Sequence, residues 1–185
     1  MAATADRADH ELVALARDGS QEAFEALILR HGDRLHATLR GFGLTPTEAD
    51  DVAQETLLRA WRGLAGFEGR SGFFTWVYRI AFNETQRRLA RRPPAGELSD
   101  DVLDVVADSR PATHTAVEHR ELAQALEDAL SRLAPELRAP VLLRDVEGRS
   151  TDEAAQILDL KPAALKSRLH RGRMVLREQL VSYLT

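Results

Sequence analysis

The sequence predicts an all-α protein of two small helical domains joined by a flexible acidic linker, and three observations carry the prediction. Ala, Leu, Arg and Glu dominate, whereas β-branched runs bounded by turn residues are nearly absent, which favours helix and leaves no sheet to build on. Apolar residues recur at helical spacing in several stretches. A Pro-, Gly- and acid-rich break then follows Arg92, so the helices fall into two groups. A chain of 185 residues holds one domain or two small ones with real cores.

In the first group, Glu22 to Leu39 reads as a helix with Phe24, Leu27, Ile28, His31, Leu35 and Leu39 on one face, ended by Gly41 and Gly43. His31 and His36 have no convincing ligand partners at metal spacing, so they read as structural. Thr45-Pro46-Thr47-Glu48 is a helix-start signature, and the helix after it packs Val52, Leu57, Leu58 and Trp61 inward. Asp51, Gln54, Glu55 and Leu58 share a neighbouring face. Asp51 and Glu55 at i, i+4 have a spacing that suits a hard cation, but without a His or a Gly-rich loop an acidic docking edge is the better reading.

Most of the aromatic residues follow, in Phe67, Phe73, Phe74, Trp76, Tyr78 and Phe82, interleaved with Arg70, Arg79, Arg87 and Arg88 and preceded by a loop holding Gly63, Gly66, Gly69 and Gly72. Aromatic faces stack on unpaired bases while arginines hold the phosphate path, so the composition suits single-stranded nucleic acid. Phe73, Trp76, Val77 and Ile80 fall on one helical face and read as core, leaving Phe67, Phe74 and Tyr78 as the expected exposed subset.

Pro93-Pro94 cannot continue a helix, and Glu97, Asp100, Asp101, Asp104 and Asp108 surround the apolar Val102, Leu103, Val105 and Val106. These observations divide the chain into a domain over 9–92, a linker over 93–115 and a domain over 116–184. Three readings of the linker stand side by side: a segment that docks on a partner or folds back, a nucleic-acid mimic, and a solvated tether.

The most informative stretch is Ser150 to Arg173, which predicts a helix-turn-helix. Ser150 and Thr151 are good N-cap types, Glu153 completes a capping-box spacing, and Ala154, Ala155, Ile157 and Leu158 give a short apolar stripe ending near Leu158. Pro162 suits the first turn of a second helix, whose stripe is Ala164, Leu165, Leu169 and Val175 and whose other face carries Lys166, Arg168, Arg171 and Arg173. No acid interrupts Leu160 to Leu176, so the helix offers a continuous positive edge to phosphates. A solvated basic helix in a bundle explains the charge but neither the cap nor the turn. The net charge of −4 therefore conceals basic and acidic segments. The absence of Cys removes disulfides, thiolate zinc sites and Cys nucleophiles. The polar N-terminus lacks a signal-peptide core and no apolar run approaches a membrane span, so a soluble cytoplasmic protein without membrane insertion is expected.

Taken in order, ADDVAQETLLRAW, GFEGRSGFFTWVYRIAFNETQRRL and EGRSTDEAAQILDLKPAALKSRLHRGRMVLRE resemble the core-binding, melting and −35-reading segments of bacterial RNA polymerase sigma factors, the small extracytoplasmic-function (ECF) group of the sigma-70 family. The resemblance covers almost the whole chain. It implies that Asp51, Gln54, Glu55 and Arg59 serve the contact with core RNA polymerase, with Trp61 supporting that helix. It implies that the loop from Gly66 to Gly72, with Phe67, Arg70 and Ser71, captures a flipped base, and that Phe74, Trp76, Arg79, Asn83 and Arg87 hold the rest of a single-stranded −10 element. It implies that Lys161, Ala163, Ala164, Lys166, Ser167, Arg168 and Arg171 face a −35 duplex while Arg149 and Thr151 touch its backbone. Binding single-stranded bases favours the open duplex, so melting needs no nucleotide hydrolysis. No cofactor, metal or catalytic residue is implied.

Two departures stand out: Phe74 and Phe82 occupy positions that are polar or basic in many relatives, and Asp159 stands where the turn often has Gly. Asp tolerates unusual φ, so the turn is expected to survive. The chain runs only shortly past the helix-turn-helix to Thr185, so control is expected from another protein, an anti-sigma factor. Two other readings compete. A sigma-like interaction protein has no need of the intact basic helix, and an operator-binding regulator leaves the acidic face and the aromatic loop unexplained. An enzyme is the weakest reading, for want of a phosphate-binding glycine motif, a nucleophile with its base or paired catalytic carboxylates.

Overall fold

The structure, a computed structural model, describes residues 7–92 and 114–181, with side chains from Ala123 onward in the second stretch. The acidic linker residues, including Val102, Leu103, Val105 and Val106, lie outside the described residues. Among the described residues all regular structure is helical: α1 Asp9–Arg17, α2 Gln21–Gly41, α3 Pro46–Gly63, α4 Phe73–Ala90, α5 His114–Arg132, α6 Pro135–Val141, α7 Thr151–Ile157 and α8 Pro162–Gln179. A 3-10 turn, Leu64–Gly66, follows α3, and a π-helical turn, Leu142–Val146, follows α6. The chain divides into two compact units, residues 1–40 with 46–96 and residues 41–45 with 97–185, so Gly41–Thr45 groups with the second unit and the division is not contiguous. Helix α5 begins at His114, two residues inside the stretch read from sequence as linker.

In the first unit, α3 and α4 form the most extensive helix pair, and α1 rests on the 3-10 turn. The core combines Leu12, Val13 and Ala16 of α1 with Phe24, Leu27, Leu35 and Leu39 of α2, Val52 and Ala60 of α3, and Val77, Tyr78 and Ala81 of α4. Trp61 lies on Phe24 with ring centroids 5.1 Å apart. Leu58, expected inward, is exposed. It shares its side of α3 with the exposed Asp51 and Gln54, where one turn of helix separates neighbours. Asp9 fastens α1 to α2: Arg30 Nη1 donates to its Oδ1 at 2.5 Å and His31 Nε2 lies 3.0 Å from its Oδ2.

In the second unit, α8 packs on α6, α7 and α5, around Ala129, Leu133, Val141, Leu169 and Leu176. Gly172 makes the close approach possible: a Cβ there would sit 2.8 Å from Val141 Cγ2 and 3.1 Å from the Leu137 carbonyl oxygen. The buried guanidinium of Arg138, which burial holds below its ordinary pKa, donates to the carbonyls of Ser131 and Leu133 and so caps the end of α5. Pro140 sits inside α6 and removes one helical donor. Directly beyond it the backbone widens into the π turn, with Glu147 N–H donating to Leu142 O at 2.8 Å and Arg149 N–H to Leu143 O at 2.9 Å.

Candidate nucleic-acid interface

The helix-turn-helix of the second unit is built as its sequence dictates. Ser150 Oγ accepts from Glu153 N–H at 3.2 Å, and the Glu153 carboxylate accepts from Ser150 N–H at 2.8 Å, a reciprocal capping box that starts α7. Helix α7 ends in a Schellman turn: Leu160 N–H donates to Ala155 O at 2.9 Å, Asp159 N–H to Gln156 O at 3.4 Å, and Asp159 takes the left-handed φ of 52°. Lys161 then caps α8 and Pro162 occupies its first turn.

Helix α8 buries Leu165, Leu169, Gly172 and Leu176 and turns Lys161, Ala163, Ala164, Lys166, Ser167 and Arg171 outward, with Arg168 half-buried. Arg149 and Thr151 are half-buried at the entry to α7, and Arg144 donates to the Arg149 carbonyl. Arg173, part of the basic face in sequence, is engaged elsewhere: its Nε and Nη2 donate to the two oxygens of Asp145 in the π turn at 2.9 and 2.5 Å. These hydrogen bonds raise the Arg173 pKa, against a smaller opposing effect of burial. Among the described residues, no such partner holds Lys161, Lys166, Arg168 or Arg171.

In the first unit, Asp51 and Gln54 are exposed and Glu55 half-buried on α3. Arg59 is more than a helix support. Its Nε lies 2.6 Å from Glu55 Oε1 on its own helix and 3.1 Å from Glu84 Oε1 on α4. Glu84 also accepts from Arg87 Nη1 at 2.5 Å, and Arg88 reaches Asp51 at 3.5 Å and Glu48 at 3.4 Å. The acidic face and the basic end of α4 thus share one ion-pair network along an open groove of about 470 Å³. Glu84 was not singled out from sequence; the signal was its place three residues before Arg87 on a face that also buries Ala81 and Thr85.

The aromatic segment differs from expectation. Phe67 and Tyr78, expected to be exposed, are 8% and 2% accessible. Phe67 packs on Trp76 and Phe73 with centroids 5.1 and 6.0 Å apart, because the 3-10 turn folds the start of the loop back over the core. Tyr78 lies on the inward stripe with Ala81 and Thr85. Phe74 is half-buried, its ring 3.8 Å from that of His31. Arg70, Arg79, Asn83 and Arg87 are exposed and Ser71 and Trp76 half-buried. Gly69 takes a φ of 72°, which bends the loop beside an apolar cavity of about 380 Å³ between α1 and the aromatic cluster, lined by Val13, Ala14, Arg17, Phe67, Phe73 and Phe74 among others. His31 and His36 each face one carboxylate, Asp9 at 3.0 Å and Asp50 at 2.9 Å.

Two helical units, one with a charged α3–α4 pair and an aromatic loop and one with a helix-turn-helix, define the class of protein. Residues 27–93 match the family model for sigma-70 region 2 and residues 123–176 that for sigma-70 region 4. The chain is 32% identical over 177 residues to the ECF RNA polymerase sigma-E factor of Escherichia coli, covering 89% of this chain and 90% of that protein. Among solved structures, CnrH in complex with the cytosolic domain of CnrY is similar at a TM-score of 0.71 and 30% identity, covering 95% of this chain and 99% of the other. The sigma factor RpoE of Bartonella quintana, solved with the anti-sigma factor NepR, matches at a TM-score of 0.66 and 27% identity, covering 85% and 96%. The chain belongs to the ECF RNA polymerase sigma factors of the sigma-70 family. Among the described residues no helix is long and apolar enough to cross a membrane.

Proposed function

We propose that this protein binds core RNA polymerase in the cytoplasm, directs it to promoters and assists their opening. The observation that carries the reading is the outward cationic face of α8, seated on a capped and tightly turned α7, in the same chain as the α3–α4 region. In this reading Asp51, Gln54, Glu55 and Arg59 dock on polymerase, and Leu58 adds an apolar contact at the same face. Lys161, Ala163, Ala164, Lys166, Ser167, Arg168 and Arg171 meet the −35 duplex, where Lys and Arg serve phosphates and guanine edges, and Arg149 and Thr151 adjoin its backbone.

The −10 strand runs along Arg70, Ser71, Phe74, Trp76, Arg79, Asn83 and Arg87. Phe67 supports the loop from beneath and does not stack on a base. Holding bases out of the duplex stabilises the open state, so the protein contributes binding energy and no covalent chemistry. An anti-sigma factor is the proposed control, supported by the solved complexes of two relatives.

The test is binding to sigma-free bacterial core polymerase followed by strand opening on promoter DNA. Both are expected, and Asp51→Ala with Glu55→Ala should weaken the first while leaving helicity intact. Failure to bind a competent core would return the chain to a sigma-like interaction protein or a plain DNA-binding regulator.

A further inference from the structure

Glu84 is the acid on α4 that faces α3, and its side chain is only 10% exposed. A buried carboxylate needs charged or hydrogen-bonding partners, and this one has two on opposite sides: Arg59 Nε of α3 at 3.1 Å and Arg87 Nη1 of α4 at 2.5 Å. Arg59 in turn holds Glu55 at 2.6 Å. The result is an alternating row, Glu55–Arg59–Glu84–Arg87, that begins on the acidic face of α3 and ends at a guanidinium more than half exposed on α4.

In such a row each ion divides its attraction between two neighbours. When an outside cation takes up Glu55, Arg59 turns more fully to Glu84, and Glu84 then holds Arg87 less. The effect is electrostatic and short in range, and it acts where the pairs are partly shielded from water.

We propose that Glu84 is a positioning residue that restrains Arg87 in the free chain and yields it to a nucleic-acid phosphate when polymerase engages Glu55. The inference rests on the reading of the Asp51–Arg59 face as the polymerase contact. Its consequence is that affinity for single strands is held down until the chain is on polymerase.

The test uses the full chain and a short labelled single-stranded oligonucleotide. One added phosphate contact steepens the logarithmic salt dependence by about 0.7 and strengthens binding about fivefold at 0.1 M salt. Glu84→Gln, which keeps the shape and the acceptor oxygen, is expected to give that gain in the free chain, and Glu55→Gln a smaller one. Both gains should vanish when Arg87→Ala is added, a dependence that general loosening of the fold would not produce. Unchanged affinity in both variants, or a gain that survives without Arg87, overturns the proposal.

Should Glu84→Gln lose helicity, Glu55→Gln decides alone: an Arg87-dependent gain supports the restraint, and none overturns it. Bound to core polymerase, the wild type should match Glu84→Gln in salt dependence; a fivefold difference persisting there overturns the hand-over. A chain that fails to bind core polymerase removes the docking reading, while the free-chain comparison still decides whether Glu84 restrains Arg87.

Discussion

Arg173 of α8 and Asp145 of the π turn form a two-point ion pair, with both guanidinium donors on both carboxylate oxygens at 2.9 and 2.5 Å. Two parallel hydrogen bonds fix orientation as well as distance. The pair therefore ties the far end of the basic helix to the segment that precedes α7, and it takes one arginine out of the row that sequence alone presents as continuous.

Arg171 and Arg173 should accordingly behave differently on a duplex carrying the −35 element. Arg171→Ala is expected to weaken binding by about 1–3 kcal/mol if the side chain reads a base edge, or to lower the salt slope by about 1 if it meets a phosphate. Arg173→Ala should leave the slope unchanged and lower stability by less than about 1 kcal/mol, since the pair is half exposed. Titrations at several salt concentrations compare the two, and equal slope losses would place Arg173 on DNA.

Gly172→Ala should destabilise the second unit by about 1–3 kcal/mol through overpacking. The added carbon meets the Val141 methyl and the Leu137 carbonyl oxygen, and backbone does not rotate away as a long side chain would. Urea unfolding of the variant reads the loss, and a midpoint equal to wild type would show that α6 and α8 separate without penalty.

Phe67 and Phe74 separate support from contact. Phe67→Ala empties a buried site and should cost about 3–5 kcal/mol of stability. Phe74→Ala should cost less stability and instead weaken single-strand binding, by about 1–3 kcal/mol if the ring stacks on a base. Denaturation and oligonucleotide binding of both variants check this, and an unaltered affinity for Phe74→Ala would take stacking away from that ring.

Acid should loosen the α1–α2 clasp. Burial pushes the Asp9 carboxyl up, but the hydrogen bonds and charges of Arg30 and His31 together hold it below its ordinary value of 3.8. Because the folded value is the lower one, the stabilisation is fully present above 3.8 and is lost as pH falls through the folded value. Asp9→Asn should therefore melt earlier than wild type at neutral pH and approach it in strong acid. A gap that stays constant with pH would mean that the clasp does not depend on this charge.

What could be read from sequence was local. The Ser150–Glu153 box, Pro162 and the tolerance of Asp159 for a left-handed φ all depend on residues a turn apart, and each takes the expected form. The misplacement of Phe67 and Tyr78 came from weighing aromatic composition above helical stripe, although Tyr78, Ala81 and Thr85 already repeat at one turn. Glu84 and Arg59, like Asp145 and Arg173, are 25 and 28 residues apart, and no periodicity within one helix reveals which partner a charge will find across the fold. The π turn was equally hidden, since Pro140 announces an interruption and not its shape.

That turn has a bearing on how this unit tolerates change in length. A π turn is an α-helical turn carrying about one extra residue, and each residue advances an α-helix by about 100°. Deleting one residue from Leu142–Val146 would restore ordinary winding while swinging everything after it by roughly a quarter of a revolution, including the strut from Asp145 to Arg173 and the launch of α7. Single-residue gaps here would re-aim the reading helix, whereas the same gaps in an exposed loop would be absorbed.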